Sequence, residues 1–100
     1  MSELSAQFGR LLEVAERAPA GEAILYECLN LADLLLAKNQ KYGNSALEPM
    51  RVFSKASPSE QLLVRMDDKL SRLRTADPSE DEDVILDLAG YLVLYLVAAR

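Results

Sequence analysis

The residues best placed to do chemistry lie between Arg65 and Arg72. Arg65, Asp68, Lys69 and Arg72 follow one another at i, i+3, i+4 and i+7, which puts three cations and a carboxylate on one stripe of a helix. Leu62, Leu63, Met66, Leu70 and Leu73 form an apolar face beside that stripe, while Asp67 and Arg74 fall on the far flank. A second polar stripe runs along the final segment, EDEDVILDLAGYLVLYLVAAR, where Glu80, Asp83, Asp87, Gly90 and Tyr91 align at 100° per residue. Beyond Asp87 this segment is apolar on every side, and such a helix belongs in a core or an interface. A carboxylate one turn inside it is costly unless a cation meets it.

Two kinds of chemistry fit these stripes. In one, Arg65, Lys69 and Arg72 pair with Asp83 and Asp87 as a structural ion network that holds two helices in register. In the other, the cations grip phosphate oxygens, and Asp68, Asp83, Asp87 and Glu82 hold a divalent ion. Mg²⁺ takes oxygen ligands, usually one or two carboxylates together with the substrate's phosphates. A third component is Tyr42-Gly43-Asn44, which follows Lys38 and Lys41. Glycine lets a backbone approach a ligand closely, and tyrosine offers a stacking face and a hydroxyl. Tyr91, on the acidic stripe, joins the candidates for ligand contact.

Elements that could position these groups are legible in order. Residues 2–17 read as an amphipathic helix, with Leu4, Phe8, Leu11, Leu12 and Ala15 at helical spacing and Pro19-Ala20-Gly21 as its stop. A second helix spans about 21–41, with Ile24, Leu25, Cys28, Ala32, Leu35 and Leu36 centred on its apolar face; Gly43 and Asn44 supply its end. The connector 42–57 contains Pro49, which fits a short helical turn, and Met50, Val52 and Phe53, which are expected to tuck against the helices. Ser57-Pro58-Ser59-Glu60 is a helix start, with Ser57 as cap and Pro58 first in the helix, so 58–75 is the third helix. Asp77 or Ser79 caps a fourth over 80–99. Four helices, short links and no strand pattern predict a single all-α domain, a four-helix bundle.

Composition narrows the function. Half of the 100 residues are apolar, which argues against disorder, and one cysteine with no histidine removes disulfide frameworks, the usual zinc sites and Ser-His or Cys-His catalysis. Cys28 reads as a small core residue. The start lacks a basic leader with an apolar run, and the final apolar stretch is too short for a bilayer, so a cytoplasmic protein without membrane contact is expected. The net charge of −5 hides an asymmetry: residues 38–74 carry eight Lys/Arg against four Asp/Glu, and the remainder carries three against twelve. A basic middle suits a small anion, whereas the overall sign disfavours duplex nucleic acid.

Three motifs in order, KNQKYGNS (38–45), RMDDKLSRL (65–73) and EDEDVILDLAGY (80–91), carry a resemblance across about 34–94. The chain resembles the small nucleotide-modification-associated proteins of phages and bacteria, placed with the MazG-like all-α NTP pyrophosphatases. Their motifs are a KN-x-DYG element, an R-x-x-D-K-x-x-R-L helix and a terminal acidic helix ending D-L-A-x-Y. The resemblance implies an oligomeric helical bundle that holds a nucleotide and Mg²⁺ between helices, a hydrolase arrangement. It points to Tyr42, Gly43, Arg65, Asp68, Lys69, Arg72, Asp83 and Asp87. Two departures stand out: Lys41 replaces the aspartate before Tyr-Gly, and the E-x-x-E pair of MazG-like enzymes has only Glu27 with Asn30, or Asn30 with Asp33, in its place. Keeping cations while losing carboxylates favours binding over turnover. The expected partners are therefore a nucleotide or other phosphorylated small molecule and further copies of the chain. Alternatives are a phage protein that sequesters a nucleotide-type signal and a purely structural oligomerisation module.

Overall fold

Local signals set the helix ends, and a computed structural model shows where they act. It describes residues 2–75 and 83–100. Among these are four helices and no strand: α1 (Ser2–Arg17), α2 (Gly21–Tyr42), α3 (Pro58–Thr75) and α4 (Asp83–Ala99). The expected caps Asp77 and Ser79, and the predicted first residues of the last helix, lie outside the described residues. At the start of α3, the Ser57 Oγ accepts the Glu60 backbone N–H at 3.2 Å and the Ser57 carbonyl accepts the Gln61 N–H at 3.0 Å. These satisfy donors that a helix start otherwise leaves open. At the end of α2, Gly43 has φ of 67°, a left-handed conformation that costs glycine little and other residues more.

The chain divides into two compact units, Met1–Leu34 and Leu35–Arg100. In the first, α1 turns into α2 through a corner where the Gly21 N–H donates to the Ala18 carbonyl at 3.0 Å. Gly21 is buried there, and a Cβ on it would fall 2.0 Å from the Ala15 carbonyl oxygen. Only glycine fits that corner without moving backbone. A shallow depression of about 230 Å³ lies at the same turn, lined by residues including Glu16, Pro19 and Glu22.

The second unit is built on the pairing of α3 with α4. Among the described residues its buried apolar side chains are Leu62, Met66 and Val84, with Leu62 wholly enclosed. Leu62 and Met66 are one turn apart on the face expected to be core, whereas Leu63 and Leu70, on the edges of that face, are exposed.

Several residues on the predicted apolar faces are exposed. Leu4, Phe8, Leu11 and Leu12 of α1 and Ile24 and Leu36 of α2 are exposed. Cys28, expected in the core, is exposed. Helical periodicity identifies an apolar face but not what covers it. The connector also departs from expectation. Residues 43–47 form turns, no helical turn forms at Pro49, and Met50, Val52 and Phe53 are exposed instead of tucked in. The turn before Pro49 is closed by Asn44, whose carbonyl accepts the N–H groups of Leu47 and Glu48.

Candidate functional site

The two polar stripes meet at Asp87. Placed one turn into α4, it is about three-quarters buried, and the amphipathic pattern of α3 aims Lys69 at it: Lys69 Nζ lies 3.3 Å from Asp87 Oδ2. Lys69 is 13% exposed, so its aliphatic stem is packed while its ammonium reaches the carboxylate. This pair joins a residue near the end of α3 to one near the start of α4, the register of a helical hairpin. A second cation arrives from α2. Lys38 Nζ is 3.7 Å from Asp87 Oδ1, with its side chain half exposed. Three helices thus deliver two lysines to the two oxygens of one carboxylate, leaving the group with a net positive charge.

The remaining predicted residues surround this junction unequally. Arg72 Nε stands 3.8 Å from Asp68 Oδ2, one turn away on the same helix, and both are exposed. Asp68 therefore has a cation of its own helix beside it. Arg65, one turn before Lys69, is exposed. Tyr91, one turn after Asp87, is half-buried. Lys41 sits over the Tyr42 ring at 5.2 Å from its centroid, and both side chains are exposed at the end of α2. Of the expected metal ligands, Glu82 and the Asp83 side chain lie outside the described residues. Among the described residues no three carboxylate, cysteine or histidine side chains gather as a metal-holding group.

Asn39 was not singled out by its position in the sequence, yet it organises the turn that does carry candidate residues. Its Nδ2 donates to the Gly43 carbonyl at 3.3 Å and to Asn44 Oδ1 at 3.2 Å. The available signal was an amide one turn before a glycine stop, where it can reach carbonyls the helix leaves open.

The chain matches no family model, no curated protein and no solved structure. Among the described residues no helix is long and apolar enough to cross a membrane. Site chemistry therefore rests on the junction itself: a carboxylate bracketed by two lysines, with Lys41, Arg65 and Arg72 on the neighbouring turns.

Proposed function

We propose that the α2–α3–α4 junction binds the phosphates of a nucleotide-type ligand together with Mg²⁺. The observation that carries this reading is the convergence of Lys38, Lys69 and Asp87. These residues come from three separate motifs and three helices, and both lysines stand within 3.7 Å of the one carboxylate. Ion pairs as exposed as Lys38–Asp87 contribute about 0–1 kcal/mol, so Lys38 can turn from that carboxylate to a phosphate at little cost. Lysine binds phosphate as a point charge, and Arg65 and Arg72 offer donors in a planar fork. Asp87 supplies the single carboxylate that Mg²⁺ needs when the ligand's own phosphates complete its shell.

The reading is of binding without hydrolysis. Water attack between phosphates calls for several carboxylates, and this chain has Lys41 and Asn30 where the MazG-like pattern has acids. The test is to incubate the protein with nucleoside triphosphates and Mg²⁺ and follow both affinity and products. Tight binding with intact ligand recovered is expected. Release of pyrophosphate would make the chain a hydrolase, and failure to bind any phosphorylated compound would leave a structural ion cluster.

A homo-oligomer in the cytosol is part of the same proposal. On α4, Ile85, Leu92 and Leu96 recur at i, i+7 and i+11 and are each more than half exposed, with Val93 and Val97 beside them. This stripe is unbroken by charge, and apolar surface of that kind on a soluble chain marks an interaction face. A second copy, offering the same stripe, fits it by two-fold symmetry. Leu92→Glu combined with Leu96→Glu is expected to weaken self-association more than about 100-fold, since each leucine buried contributes about 1.5–3 kcal/mol. Light scattering across a concentration series reads this, and a wild-type monomer at micromolar protein would refute it.

A further inference from the structure

The connector between α2 and α3 holds an aromatic side chain in an unusual state. Phe53 is fully exposed at 101%, Met50 is 87% exposed and Val52 is 69% exposed. A phenylalanine left in water forfeits the free energy that burying its ring would release. Yet the segment is anchored at both ends. On the α2 side, the Asn44 carbonyl accepts two backbone N–H groups, from Leu47 at 3.1 Å and Glu48 at 2.7 Å, and Asn39 ties Gly43 and Asn44 to the helix. On the α3 side, Gln61 Nε2 donates to the Ala56 carbonyl at 3.0 Å and the Ala56 N–H donates to Ser54 Oγ at 3.1 Å. Between Pro49 and Phe53 no hydrogen bond holds the chain, among the described residues. The result is a short strap with fixed feet and an apolar, cationic middle, since Arg51 and Lys55 stand two residues to either side of Phe53.

We infer that this strap is the base-binding half of the site, with Phe53 stacking on the ligand's base and Arg51 and Lys55 pairing with its phosphates. The inference rests on the phosphate reading of the junction. The strap starts from the turn that ends α2, and Lys38 lies about one helical turn, roughly 6 Å, before that end. Ten residues from the end of α2 reach at most about 36 Å and five residues from the start of α3 at most about 18 Å, so both feet allow Phe53 to meet the base of a ligand whose phosphates sit at the lysines. An aromatic face between two cations suits an anionic ligand carrying a flat ring. Stacking tolerates any base because every base has a π-face, and removing one aromatic partner costs about 1–3 kcal/mol. The charge-free stripe of α4, by contrast, suits another protein surface, so the two exposed regions take different occupants.

The experiment compares the common ribo- and deoxyribonucleoside triphosphates with inorganic tripolyphosphate, each with Mg²⁺, by calorimetry on the full chain. Phe53→Ala is expected to weaken the tightest nucleotide by about 5- to 150-fold, to leave tripolyphosphate unchanged and to leave the melting temperature unchanged. Arg51→Ala and Lys55→Ala weaken both ligands. Unaltered nucleotide affinity in Phe53→Ala overturns the inference, as does a fall in oligomer mass, which would place Phe53 in a subunit contact. Wild-type protein that binds tripolyphosphate but gains nothing from a base sinks the strap and spares the junction. Wild-type protein that binds neither sinks the junction, and the strap with it.

Discussion

Leu62→Ala is expected to destabilise the Leu35–Arg100 unit by about 2–5 kcal/mol, the range for a leucine whose removal leaves a cavity. Leu62 is wholly enclosed, and only Met66 and Val84 accompany it as buried apolar side chains among the described residues. A core that small has little reserve, since whole domains are stable by only about 5–15 kcal/mol. Leu63→Ala is the control. It stands one residue further along the same helix and is 37% exposed, so it should cost much less. Denaturant unfolding followed by circular dichroism, at one protein concentration because association adds to apparent stability, reads both. If the two variants melt alike, the α3–α4 core is not where the unit's stability resides. Helicity lost at room temperature in Leu62→Ala alone would be the strongest form of the expected result.

The second large effect is on ligand binding. Asp87→Asn keeps the shape of the side chain and removes the charge that Lys38 and Lys69 share. Without ligand, the variant should lose about 1–3 kcal/mol, because Lys69 is largely buried and keeps only a neutral acceptor. With ligand, the carboxylate that repels phosphate is gone, so nucleotide affinity in the absence of Mg²⁺ should hold or rise. The extra affinity conferred by Mg²⁺ should disappear. Lys69→Met is the complement: it should weaken phosphate binding at least about 10-fold with or without the metal, the scale of a charge-assisted contact worth about 1.5–3 kcal/mol. A Mg²⁺ increment that survives in Asp87→Asn would place the metal elsewhere. A change confined to melting temperature in both variants would identify the junction as a structural clamp and nothing more.

How much of this was legible beforehand differs between local and non-local features. Ser57-Pro58-x-Glu60 marked the start of α3 because a hydroxyl three residues before an open N–H reaches it whatever else the chain does, and the 3.2 Å bond is there. Gly43 marked the end of α2 for a similarly local reason. The charge stripes were legible too, since 100° per residue places Asp87 and Tyr91 on one side of α4 and Lys69 beside Arg65 and Arg72 on α3. Periodicity treated those three cations as equals. The structure brings Lys69 to Asp87, places Arg72 beside Asp68, leaves Arg65 exposed, and adds Lys38 from α2.

Local sequence sufficed for the helical class, the Ser57 cap, the Gly43 stop and the apolar faces, because hydrogen bonds and side-chain directions within a few residues depend only on neighbours along the chain. Tertiary structure alone decided which faces are covered. Leu62 is enclosed while Leu36, Cys28 and Phe53 meet water, although all four are apolar and three lie on helices. Burial is a property of what lies opposite, and what lies opposite Lys69 or Phe53 is set by how distant segments of the chain come together, not by their own neighbours.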